Sequence, residues 1–258
     1  MEKRVDFGVR VLDRMLGGGL HPGSLAVVKG PPGSGKTTLG LTFLSRGAAK
    51  KERGLLITFE HFPKDLYRDS QSIGIDLKSL EKQGWVKVIL TSPEAFQSLL
   101  FETDGEFDRL VAENEFKRVF LDSINHFERL FRDPGELREN LYALFNAFRR
   151  HELTSLVAQE DDVLTGCLTV APYGLSFMVD TLIQLRLVEV NSRLEKALLI
   201  LKHRASEHDN NIRRLVISDK GAEVREEFKG LEGILSGVSS HYPFSSSLKL
   251  AKKLFEID

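Results

Sequence analysis

The chain has 258 residues, long enough to bury one large core, and its 41% hydrophobic and 28% charged content is that of a globular domain rather than a disordered segment. With 36 basic and 37 acidic residues the net charge is -1, so no global field draws the chain to nucleic acid or to an anionic membrane. The lone cysteine, Cys167, excludes an intramolecular disulfide and fits a reducing cytosol, while the absence of an apolar run of 18 residues or of a signal-like start argues for a soluble cytoplasmic protein.

In chain order, the apolar run LAVVKG (25–30) ends in glycine and proline and reads as a buried strand. A helix is expected over 36–50, where Leu39, Phe43, Leu44 and Ala48 recur at helical spacing. Further strands are expected at 54–59, 86–90, 118–122 and 153–159, with helices opening at Pro63 and spanning about 104–115 and 135–151. Alternating strands and helices predict an α/β fold with a mainly parallel sheet covered on both faces. Beyond residue 177, TLIQLRLVEV, KALLILKH and IRRLVIS are separated by short polar turns and predict an antiparallel extension. One domain over 1–235 is expected, followed by an appendage at 236–258 whose LKLAKKLFEI can form a short amphipathic helix or remain a mobile tail.

The segment KGPPGSGKTT fits the spacing G-x-x-x-x-G-K-[ST] and stands between a strand and a helix, the context that a phosphate-binding loop requires. Gly30, Pro31, Pro32, Gly33, Ser34, Gly35, Lys36, Thr37 and Thr38 are its candidate nucleotide-binding residues. Gly33 and Gly35 permit backbone turns that bring successive N–H groups onto one anion, and the following helix adds the positive end of its dipole. Lys36 is expected at the outer phosphates, and the Thr37 hydroxyl on Mg2+.

Asp122 closes the run VFLD and projects from the carboxyl end of a buried strand, where ligands of open α/β sheets gather. It reads either as the second magnesium ligand or as a helix cap. Glu60 ends the neighbouring strand and is either the carboxylate that activates water or a surface residue. Gln159, at the end of the fifth strand, reads as a γ-phosphate sensor or as a structural cap. The seven histidines show no metal-binding spacing, and Trp85 reads as core or rim.

These pieces, in this order, resemble the KaiC-like branch of the RecA-type ATPases. GVRVLDRMLGGGLHPGSLAVVKGPPGSGKTT resembles the family's opening, LLITFEHFPKDLYRDSQSIGIDL its catalytic-glutamate segment, FKRVFLDSIN its magnesium-aspartate strand, and LLILKHRAS with LVISDKGAEV its closing hairpin. The likeness runs from about residue 5 to residue 235. It implies an ATPase with ATP and Mg2+ as cofactors and Glu60 as the acid that activates water. It further implies a homo-oligomeric ring, a hexamer being one option, in which Lys202 and Arg204 form a K-x-R pair that reaches the nucleotide of the adjacent subunit. The chain departs from the pattern at His61, where many relatives carry a second glutamate, and at Ala205, where glycine is usual.

The expected activity is slow ATP hydrolysis that switches an unidentified protein partner. A DNA-binding recombinase mediator and a nucleotide sensor without useful catalysis are the alternatives. Residues 155–185 contain no Lys or Arg, which opposes the DNA reading, because phosphate contacts need cations.

Overall fold

The computed structural model describes residues 3–101, 105–161, 175–228, 231–232 and 240–241. Asp162, Cys167 and nearly all of the expected terminal appendage lie outside the described residues. Nine strands form one sheet in the order β3-β2-β4-β5-β1-β6-β7-β8-β9. The strands are β1 (Leu25–Gly30), β2 (Gly54–Thr58), β3 (Val86–Leu90), β4 (Arg118–Asp122), β5 (Thr154–Glu160), β6 (Thr181–Val190), β7 (Arg193–His203), β8 (Arg213–Ser218) and β9 (Gly221–Glu227). Pairing is parallel from β3 across to β6 and antiparallel from β6 to β9. The parallel sheet with an antiparallel extension expected from the sequence is therefore present. A separate pair joins β10 (Leu231–Glu232) to β11 (Ser240–His241).

Alternation of side chains divides the core between the two sheet faces. Ala26, Val28, Leu56, Phe120, Leu156 and Ala158 face one cluster, while Leu25, Val27, Leu55, Ile57, Val119, Leu121 and Val157 face the other. The first face is covered by α1 (Arg10–Met15), α2 (Lys36–Ala49), α3 (Pro63–Ser72) and α4 (Leu77–Lys82). On the second lie α5 (Pro93–Phe101), α6 (Glu106–Asn114), α7 (Ile124–Glu128) and α8 (Pro134–Arg150), and a short α9 (Leu175–Met178) precedes β6. Among the described residues no helix is long and apolar enough to cross a membrane.

Local chemistry sets the element ends. Asp133 caps α8 by accepting the Glu136 N–H at 2.8 Å, and Pro134 occupies the first turn, where its missing N–H costs nothing. α2 packs against β4 so closely that a Cβ on Gly40 would lie 2.1 Å from Cζ of Phe120. At the start of β4 the fully buried Arg118 donates to Glu52 at 2.8 Å and to the carbonyls of Asp6 at 2.7 Å and Phe43 at 2.9 Å, which ties the amino-terminal segment to α2.

Two details differ from the sequence expectations. The second strand stops at Thr58, not at 59, because the Thr58 hydroxyl accepts the N–H groups of Glu60 (3.4 Å) and His61 (3.2 Å) and turns the chain. Glu60 consequently sits in the turn beyond the strand. The helices α1, α4, α5, α7 and α9 also appear where the sequence reading placed none.

Candidate nucleotide site

The carboxyl ends of β1, β2, β4 and β5 meet at one edge of the sheet, where Gly30 is in register with Glu160 and Thr58 with Asp122. The strand order reverses around β1, the position at which open α/β sheets form a ligand crevice. Beyond Gly30 the chain turns through Gly33 (φ +71°) and Gly35 (φ +106°), both left-handed, before entering α2. A Cβ on Gly35 would also lie 2.6 Å from Cδ1 of Ile217, so the turn admits only glycine.

Lys36 opens α2 and is nearly buried. Its Nζ donates to the carbonyls of Gly30 at 2.9 Å and Pro31 at 3.0 Å and lies 3.6 Å from Oε2 of Glu160. Burial pulls its ammonium below the usual lysine range, opposed by Glu160 and Asp122. Thr37, one residue on, donates its hydroxyl to Oδ2 of Asp122 at 2.7 Å. Asp122 is only 5% exposed. Burial raises its carboxyl above the usual range, against the Thr37 hydrogen bond and the nearby His61 and Lys36. A desolvated carboxylate beside a hydroxyl is the hard-oxygen donor set that a divalent cation takes. Among the described residues no three His, Cys, Asp or Glu side chains cluster as a metal cage.

Glu60 lies at this same edge, with its side chain 63% exposed and Oε2 3.1 Å from Nε2 of His126. His126 belongs to α7, which follows Asp122 after one intervening residue. Gln159 is buried on β5 and donates through Nε2 to Oε1 of Glu128 at 3.0 Å, so its amide is engaged with α7.

Lys202 and Arg204 stand elsewhere. Thr181 of β6 pairs with His203 at the end of β7, and Ala26 of β1 pairs with Thr181. The basic pair is thus level with the amino end of β1, about 13 Å along the strand from Gly30 at 3.3 Å per residue. There Lys202 Nζ donates to the Val179 carbonyl at 2.7 Å, and burial together with Arg204 lowers its pKa. Arg204 donates to Asp180 at 3.1 Å and to the Phe177 carbonyl at 3.1 Å.

Between the two cations, His203 is buried. A guanidinium can only donate, so Nε2 of His203 accepts from Arg4 Nη1 at 3.3 Å. Its Nδ1 therefore carries the proton and donates to Thr181 Oγ1 at 2.9 Å. Both ring nitrogens of this histidine are thus engaged within the fold.

Other contributors were missed by the sequence reading. Lys29, Asp161 and Arg186 form a buried ionic trio behind the loop, with Asp161 3.8 Å from Lys29 and 3.6 Å from Arg186. A lysine inside an otherwise apolar strand, LAVVKG, was the available signal, since a buried cation needs a partner. His126 and Asp180 left no local signal, because their partners are distant in sequence.

A family model described as "ATPase: KaiC" matches residues 5–229. The chain is 32% identical over 251 residues to the circadian clock oscillator protein KaiC of Thermostichus vulcanus, covering 96% of this chain and 48% of that protein. It is 30% identical over 253 residues to the protein of the same name from Synechococcus elongatus, covering 96% and 47%. The chain thus spans about half the length of the curated relatives it matches. A phosphate loop on β1, a buried aspartate on β4 and a match over nearly the whole α/β sheet agree: the chain belongs to the KaiC ATPase family.

Proposed function

We propose that the chain binds Mg-ATP at the contact between subunits of a homo-oligomeric ring, hydrolyses it slowly, and passes its state to a protein partner through the arrangement of subunits. The observation that carries this reading is the position of Lys202 and Arg204 at the sheet edge opposite the phosphate loop, held there by Val179, Asp180 and Phe177. Separated by the length of β1, the pair cannot serve the loop of its own chain. It suits the loop of a copy stacked head to tail, an arrangement in which two different surfaces meet and which closes into a ring. Exposed phenylalanines on the two edges support such a contact: Phe62, beside the Glu60 turn, is 66% exposed and Phe177, beside Arg204, is 75% exposed.

In this site Lys36 and the loop amides hold the phosphates. Thr37 and Asp122 fit magnesium, which supplies neutralisation of phosphate charge when bound. Glu60 orients a water and takes its proton as the water oxygen bonds to the γ-phosphorus and the bridging P–O bond breaks. Lys202 and Arg204 of the partner subunit offset the negative charge that develops.

The test is ATP turnover per subunit across an about hundredfold range of protein concentration, a range chosen to cross micromolar dissociation. Specific activity that rises and saturates is expected. A constant, non-zero value from a chain whose mass is that of a monomer would overturn the shared site, and no turnover at any concentration would overturn hydrolysis.

A further inference from the structure

Glu60 has a fixed neighbour. Its Oε2 lies 3.1 Å from Nε2 of His126, although the two residues are 66 positions apart in sequence. A carboxylate oxygen accepts, so Nε2 carries the proton in this contact. His61, which stands where many relatives have a second glutamate, is not the partner. Its backbone N–H donates to the Thr58 hydroxyl at 3.2 Å, and among the described residues its buried Nδ1 meets no hydrogen-bond partner.

The helix that presents His126 is pinned to β5 at three points. Asn125 donates to the Glu160 carbonyl at 3.1 Å and accepts the Glu160 N–H at 2.6 Å. Glu128 accepts from Gln159 at 3.0 Å, and Ile124 and Phe127 are buried beneath. The imidazole meets the Phe59 ring nearly edge-on at 6.4 Å, and Phe59 in turn packs on Phe96 at 5.7 Å. The histidine is therefore held on a rigid support, while the carboxylate it touches is 63% exposed. An exposed glutamate samples several rotamers, and confining it costs side-chain entropy. A fixed donor on one oxygen confines it in advance and leaves the other oxygen for water.

We infer that His126 is the positioning residue for Glu60, fixing the carboxylate that meets the attacking water. This inference rests on the reading of Glu60 as the water-activating acid. His126 does not itself touch substrate. It acts through Glu60, so its loss lowers the rate of the chemical step and leaves ATP affinity in place.

The experiment measures kcat and KM for ATP with the full chain and four variants. Glu60→Gln should lose roughly 100-fold or more in kcat, the scale of a general base. His126→Ala should lose roughly tenfold in kcat, with KM within about twofold, as expected for a misplaced rather than a missing group. His126→Phe keeps an aromatic ring against Phe59, removes the donor and should behave like the alanine variant. In His126→Gln, the amide N–H replaces the imidazole donor and should restore kcat to within about threefold of the parent. If Glu60→Gln collapses turnover while His126→Ala and His126→Phe keep parental kcat, the positioning role alone is overturned. It is also overturned if the glutamine variant is as slow as the alanine one, or if the loss appears in KM. Undiminished turnover in Glu60→Gln would overturn the catalytic reading and this inference together.

Discussion

Asp180 grips Arg204 with one carboxylate oxygen and the start of β1 with the other: Oδ1 accepts from Arg204 Nη1 at 3.1 Å, and Oδ2 accepts the N–H of Leu25 at 3.0 Å. Arg149 adds a third contact at 3.3 Å. The guanidinium is thereby anchored to the strand that ends in the phosphate loop, but at that strand's far end.

A complementation experiment follows from this separation. Lys36→Ala and Arg204→Ala should each be nearly inactive alone. Mixed one to one with subunit exchange, they should recover about a quarter of parental turnover, the random fraction of head-to-tail contacts with an intact loop on one side and an intact guanidinium on the other. Turnover of the mixture no higher than that of either variant would place both residues in one chain's site.

Asp122 carries a carboxylate that burial disfavours. Asp122→Asn keeps an oxygen for the Thr37 hydroxyl and removes the charge. In the absence of nucleotide, its melting temperature should rise by about 2–4 °C, the shift produced by roughly 1 kcal/mol in a domain of this size. Added Mg-ATP should stabilise the parent and leave the variant unmoved. Differential scanning fluorimetry with and without Mg-ATP reads both effects.

Two groups outside the site set opposing slopes of stability against pH. Burial raises Asp13 from 3.8 to about 6, although it accepts the N–H groups of Phe7 and Gly8. The folded chain then holds a proton that the unfolded chain has released, so this contribution falls as pH rises from about 3.8 to about 6. Burial, with help from Arg4, lowers His203 from 6.5 to about 4. Here the unfolded chain takes the proton first, so stability falls as pH drops from 6.5 to about 4. Between about pH 4.5 and 7, Asp13→Asn should therefore gain relative to the parent at the higher pH, and His203→Gln at the lower. Urea midpoints at the two pH values check both signs.

The close approach of α2 to β4 makes Gly40 intolerant of a side chain. Gly40→Ala replaces a poor helix former, yet its methyl would lie 2.1 Å from the Phe120 ring. Overpacking of this kind costs about 1–3 kcal/mol, more than the gain in helix propensity. A lower denaturant midpoint at unchanged slope is the expected result.

How much of this was legible in the sequence follows the range of each interaction. Gly33, Gly35, Lys36 and Thr37 stand within a few residues of one another, so spacing alone marked the loop, and the Thr37 hydroxyl meets Asp122 at 2.7 Å. The helix α5 also had a local signature that went unused: Ser92 precedes Pro93 and accepts the Ala95 N–H at 3.1 Å, an ordinary amino-terminal cap. By contrast, α7 has five residues, too few for a period to register. The contacts of His126 with Glu60 and of Asp180 with Leu25 and Arg204 depend on which strands lie side by side. Parallel strands choose those neighbours through packing across long connections, and the order of the sheet leaves no mark on any one segment. Gln159 shows the same limit, since its engagement with Glu128 depends on where α7 lands.

The six residues of β1 join Asp180 to Gly30, flanked on both sides by paired strands. A strand clamped in this way is stiff along its length, about 17 Å from Leu25 to Gly30 at 3.3 Å per residue. If copies stack head to tail, one end of it borders the nucleotide a subunit holds and the other borders the nucleotide its neighbour holds. Any displacement at one pocket is then delivered to the next without passing through a hinge. Such a circle of subunits would act as a closed train of levers, in which hydrolysis events would be timed by one another rather than by each subunit alone.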